Sequence, residues 1–216
     1  MASLPLLLLT DSRFPAGGYA HSGGLEAAVE DGLGVDGVAG FLSGRLYGVA
    51  GPEAHLAAAA ARAETLDELL ALDLEAAARC PSPPLRTAAT RLGAQLLRTA
   101  ATVWPDAARI EQYRAASSTT PRPVAFGLVA AVAGLDAREA AFAYLYEDAA
   151  SITTAAVRLL PVDGAAAARL LVEAEPEIER LAAEAATARR LPGGFAPALE
   201  LGSLAHVARE GRLFAS

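Results

Sequence analysis

Three histidines, His21, His55 and His206, one cysteine, Cys80, and no lysine at all set what chemistry this 216-residue chain can carry. None of the histidines has a His or Cys partner at the three- or four-residue spacing that helix-borne metal ligands favour, so an intrachain metal site is not expected. A site shared across a symmetric dimer, with His21 or His206 contributed twice, stays open. The missing lysine removes Schiff-base chemistry and a self-contained phosphate-binding P-loop. A single thiol allows no internal disulfide and no multi-thiolate zinc site. Ser22 beside His21 makes a weak nucleophile pair, because neighbouring residues seldom point at each other and helix capping accounts for Ser22. Glu147 and Asp148 read as a solvated helix face with ion pairs along the helix, and Arg189-Arg190 as the end of a helix complementing its dipole.

The segment from Phe14 to Glu26 carries more than a connector needs. Pro15 restricts the backbone, Gly17, Gly18, Gly23 and Gly24 permit positive φ, and Phe14 and Tyr19 put large rings on a constrained loop. Two readings stand side by side: a surface that anchors a partner through its aromatics, and a tight corner whose rings fill the core. The last residues, Arg212-Leu213-Phe214-Ala215-Ser216, place bulky apolar groups where termini are usually polar, the pattern of a segment that docks.

These segments need elements to position them. Of the residues, 53% are hydrophobic and only 6% aromatic, and 54 are alanine, the best helix former. The composition predicts an all-α protein: a single helical-bundle-like domain of about eight to ten helices over residues 1–192, then an irregular C-terminal tail over 193–216 that docks on a partner. Helices are expected from Leu4 to Asp11, from near Ser22 to Gly32 or Gly34, and from Asp36 to Tyr47. Gly48 and Gly51 should separate the last of these from a helix opened by Pro52. Thr65 with Glu68, and Asp136 with Glu139, have the spacing of capping boxes before helices to about Arg79 and Leu160. Further helices are expected over 84–103, 107–116 and 124–133, the last apolar almost all round and so central. One more runs from Asp163 to about Arg190, with a kink at Pro176.

The formal charge of −7 and a pI near 5.0 have the wrong sign for a nucleic-acid or anionic-lipid binder. Leu4–Leu9 lacks the basic flank of a signal peptide, and 124–135 is too short to span a membrane. A soluble cytoplasmic protein without nucleic-acid or membrane partners is expected.

Three blocks, in order and at matching distances, resemble the urease accessory protein UreF family across nearly the whole chain. Phe14 to Glu26 is similar to the family's Leu-Pro-x-Gly-aromatic-x-x-Ser-x-Gly-Leu-Glu signature. Pro123-Val124-Ala125-Phe126-Gly127 through Val157-Arg158-Leu159-Leu160-Pro161 is similar to its central helices, and Arg212 to Ser216 to its terminal signature. The resemblance implies an all-helical, homodimeric, non-enzymatic assembly factor for the nickel enzyme urease. Such proteins bind UreD, also called UreH, and recruit the GTPase UreG into a complex that delivers nickel to apo-urease. No cofactor is implied for the chain itself.

Carried over by position, the resemblance makes Tyr19, Ser22, Gly24, Leu25 and Glu26 part or support of a UreG-facing surface, and Phe14 and His21 in the same block are expected to bind a partner too. Arg212, Leu213 and Phe214 fall in the block associated with UreD binding, and Arg158 is either a contact or an internal ion pair. Two departures stand out: Gly23 replaces a glutamine frequent in the family, and Val162-Asp163-Gly164 replaces Leu-Gly-Gln. The alternative reading is a metallochaperone that holds nickel through histidines at a dimer interface.

Overall fold

The structure is a computed structural model that describes residues 3–11, 13–15 and 21–207, the last three as backbone only. Its described residues form helices joined by turns, without strands. In chain order these are α1 (Leu4–Thr10), α2 (Leu25–Glu30), α3 (Val38–Arg45), α4 (Gly51–Arg62), α5 (Leu66–Arg79), α6 (Pro83–Val103), α7 (Ala108–Ala116), α8 (Arg122–Val132), α9 (Ala137–Leu159), α10 (Gly164–Thr187) and α11 (Pro197–Val207).

Local signals start these helices where the sequence places them. Thr65 and Asp136 each accept the N–H of the residue three positions on, while Glu68 and Glu139 reach back to the cap. Each such box satisfies otherwise unpaired donors and is worth about 1 kcal/mol. Asp163 caps α10, which continues past Pro176 to Thr187.

Two expectations are corrected. Gly48 and Gly51 do not separate helices: a π turn over Leu46–Ala50 joins α3 to α4, with helical dihedrals at every junction, so the two form one rod. The stretch after Gly193 is not irregular throughout, because it contains α11. Proline there opens a helix at its first position, where no N–H partner is lost, instead of ending one.

The core forms around α8, whose residues Pro123 through Ala130 are all buried. Helices α4, α6 and α9 surround it, and α10 closes over α4 and α9. The approach of α4 to α8 depends on Gly127: a Cβ there would lie 2.1 Å from the carbonyl oxygen of Ala57 and 2.7 Å from the Cβ of Ala60. Alanine-rich faces thus let backbones meet where larger side chains would hold them apart. At the edge of this body α11 rests on α2 and α6, and Ser203 hydrogen-bonds Ser82 through their hydroxyls at 2.7 Å. None of the helices among the described residues is long and apolar enough to cross a membrane.

Candidate functional site

The described end of the glycine-rich segment, His21 to Glu26, turns the chain into α2. Gly23 and Gly24 both have positive φ, +61° and +92°, which other residues adopt only with strain. Space matters as much as torsion. A Cβ on Gly23 would meet Ile152 Cδ1 at 2.6 Å and Arg45 Nε at 2.9 Å, and one on Gly24 would meet Leu199 Cδ2 at 2.8 Å. Gly23 is therefore tied to how closely Arg45 and α9 approach.

The helix begins at Leu25 with Gly24 in the cap position, not at Ser22 as its residue type suggests. Ser22 still serves the first turn, since its buried Oγ accepts the Glu26 N–H at 3.3 Å. Leu25 and Glu26 are buried too. Phe14 is only 7% exposed, with its ring centroid 6.4 Å from that of Trp104, so its aromatic group belongs to the core. Ser22, Leu25, Glu26 and Phe14 thus hold the corner together from inside. Arg158 lies exposed near the end of α9. Tyr19, Arg212, Leu213 and Phe214 lie outside the described residues.

Behind the corner stands a buried ionic network. Arg45 on α3 grips Asp148 on α9 with two bonds, Nη2–Oδ1 at 2.7 Å and Nε–Oδ2 at 2.8 Å, and donates a third from Nη1 to the carbonyl of Gly23 at 3.0 Å. Next in sequence, Glu147 pairs with Arg122 at 2.8 Å, and that guanidinium lies 4.8 Å from the centre of the Tyr144 ring. The Tyr144 hydroxyl donates to Glu53 Oε2 at 2.8 Å, while Phe126 packs edge-on against the same ring. Side chains from α3, α4, α8 and α9 therefore meet at one place.

The electrostatics follow from this enclosure. Burial raises the carboxyl pKa of Glu53 against the pull of Arg45. It raises the Tyr144 phenol as well, and the neighbouring Glu53 adds to the effect. For Arg45 burial opposes the charge, but Asp148 more than restores it and the net direction is upward. The imidazole of His21 is pushed down to about 4, first by burial and then by the charge of Arg122, so it is neutral at physiological pH. Elsewhere, His55 Nδ1 hydrogen-bonds the Gly51 carbonyl at 2.8 Å, and burial pushes the Cys80 thiol up to about 11, away from reactivity. Among the described residues no group of three or more His, Cys, Asp or Glu side chains has the geometry of a metal site.

Glu147 and Asp148 do not form the solvated face read from their spacing; their partners come from other helices. A register signal for this existed. Asp148 falls on the same helical stripe as Ala141, Tyr144, Leu145 and Ile152, and Arg45 follows Phe41 and Leu42 at core spacing. A charge on an apolar stripe marks a buried pair, but only the fold reveals with what.

A family model described as UreF matches residues 34–175, from just beyond α2 into α10. Proteins named urease accessory protein UreF align over almost all of the chain. The one from Mycobacterium sp. (strain JLS) is 38% identical over 98% of this chain and 97% of its own length. That from Mycolicibacterium vanbaalenii is 37% identical over the whole of both, and that from Mycobacterium marinum 35% identical over the same extent. The chain belongs to the UreF family. The UreF match covers α3 through the first half of α10 and leaves out residues 1–33 and 176–216, which the full-length relatives reach.

Proposed function

We propose that this UreF-family chain is a urease accessory protein that works as a non-enzymatic, dimeric adaptor in the cytoplasm. In this reading its C-terminal residues, among them Arg212, Leu213 and Phe214, engage UreD/UreH. The corner between α1 and α2, with Tyr19 as its aromatic anchor, faces the GTPase UreG. Arg158, exposed on α9, is a further contact. The assembled complex delivers nickel to apo-urease, and the metal is cargo rather than a resident of this chain.

The observation that carries the reading is the end-to-end similarity to proteins named urease accessory protein UreF. The architecture supports it: buried Ser22, Leu25, Glu26 and Phe14 form a stiff corner, and a rigid support lowers the entropy lost on docking.

Reconstitution tests it. With purified UreD, UreG, apo-urease and nickel, adding the full chain should switch on urea hydrolysis. Tyr19→Ala should weaken UreG recruitment at least about tenfold, the usual scale for a central aromatic anchor, with helicity intact. Deleting residues 212–216 should abolish copurification with UreD. If urease matures equally without the chain, or both variants copurify normally, the reading is wrong.

A further inference from the structure

The rod formed by α3 and α4 has a proline in its interior. Pro52 has no N–H to give the Gly48 carbonyl four residues earlier, the bond an α-helix makes at that point, and its ring crowds the same carbonyl. The π turn over Leu46–Ala50 lies just before it. A carbonyl that loses its ladder donor takes another where one is in reach. Here that donor is the Phe195 N–H, at 3.1 Å, from the segment that runs from α10 to α11.

Both stretches lack side chains where they meet. A Cβ on Gly48 would lie 2.8 Å from the Phe195 carbonyl oxygen, and one on Gly194 would lie 2.9 Å from the Gly48 carbonyl oxygen and 3.9 Å from Pro52 Cγ. The rest of the hold on this segment is also through its main chain: Arg79 donates from Nε to the Pro192 carbonyl at 2.8 Å and from Nη2 to that of Leu191 at 3.1 Å. No residue from 186 to 204 is fully buried. Packing alone therefore fixes α11 weakly, and the backbone bonds just before it carry more of the task. The helix comes to rest with Leu199 against Gly24 and Gly202 beside Ala27 of α2, and with Ala198, Leu201 and Leu204 exposed.

We propose that Pro52 and Gly48 form a docking point: the proline frees a carbonyl on the rod, the glycine opens the space around it, and the chain leaving α10 binds there, which sets the register of α11 on α2. The docking point does not depend on the adaptor reading. Joined to that reading, it sets the place from which the residues after Val207, among them Arg212, Leu213 and Phe214, continue.

Amide hydrogen exchange, read by NMR on the full chain, tests it. Pro52→Ala supplies the missing N–H and removes the ring, so the Gly48 carbonyl returns to the helical ladder. Protection of the Phe195 amide should fall about tenfold, the scale of one hydrogen bond, and the amides of α11 should follow, while those of α8 change far less. The sign discriminates, because replacing a proline inside a helix ordinarily strengthens the structure around it. Gly40→Ala, on the same rod with open space beside it, should leave the Phe195 amide unchanged. If Pro52→Ala does not fold, Gly194→Ala carries the test with an expected loss of at least about threefold, because its methyl group meets the Gly48 oxygen. A Phe195 amide that stays protected in the folded variant, or that loses no more than the α8 amides do or than Gly40→Ala takes from it, overturns the docking point.

Discussion

Two buried carboxylates in this molecule are neutralised in opposite ways. Asp148, on the side that faces the corner, is gripped by a guanidinium that also holds the corner's backbone. Asp73, on α5 at the other side of the body, accepts only hydroxyls, from Tyr113 and from Ser117, and among the described residues no cation pairs with it. Burial accordingly raises the Asp73 carboxyl pKa, and the same burial together with Asp73 raises the phenol of Tyr113. The Asp73 cluster joins α5 to α7 and the following turn, where Ser117 also accepts the Thr120 N–H at 2.9 Å. It is a fastening within the scaffold. The Asp148 pair spends its third hydrogen bond outside the scaffold, on the carbonyl of Gly23. Charge is used where a long, multi-pronged side chain must reach two places; short neutral donors suffice where helices simply need tying.

The largest effect expected from this contrast is at the ion pair. Asp148→Ala strands Arg45, whose side chain is only 14% exposed, and should cost about 3–5 kcal/mol in denaturant unfolding, the range for breaking a buried pair. Asp73→Ala leaves two hydroxyls without an acceptor but no buried charge, so a smaller loss of about 1–3 kcal/mol is expected. Equal losses, or the reverse order, would erase the distinction between the two networks.

Acid should separate the same regions by sign. The folded-state pKa of His21 lies near 4 against an ordinary 6.5, so the unfolded chain binds the proton first. Its contribution is intact above 6.5 and is lost as pH falls toward 4. Asp73 runs the other way: its folded pKa is raised above 3.8, the folded state takes up the proton more readily, and acidification through that raised value adds stability. Relative to the parent, His21→Gln should therefore be less acid-sensitive between pH 6.5 and 4, and Asp73→Asn should lack the acid gain. Parallel pH profiles for parent and both variants would refute the assignment.

Much of the scaffold was legible because its signals are local. The capping boxes at Thr65 and Asp136, the cap at Asp163 and the apolar run of α8 each depend on residues within a turn or two of one another. What escaped depends on distant partners. Glycine and proline are ambiguous punctuation: Gly48 and Gly51 sit inside a continuous rod, at places where a Cβ would lie 2.8 Å from the carbonyl oxygens of Phe195 and Leu46, and Pro197 starts α11 within a tail expected to be irregular. The corner was found as a segment, but the side chains that hold it, Arg45, Gln95, Thr99 and Ser151, were not. They lie between 22 and 130 residues from their acceptors, the carbonyls of Pro15, His21 and Gly23; Gln95, Thr99 and Ser151 each read alone as an ordinary surface polar group, and the register of Arg45 signals burial without naming its partner. Phe14 shows the converse, a ring that stands out in sequence and in the fold simply fills space beside Trp104.

The π turn between α3 and α4 packs one residue more than an α-helical turn would hold. Winding the same residues as ordinary α-helix, with none removed, would swing everything upstream through about 100°, the angular step of a single helical residue. The guanidinium of Arg45 would then sweep away from α9 and release Gly23. A five-residue irregularity in the middle of a rod thus sets the compass bearing of the arginine on which the far corner depends.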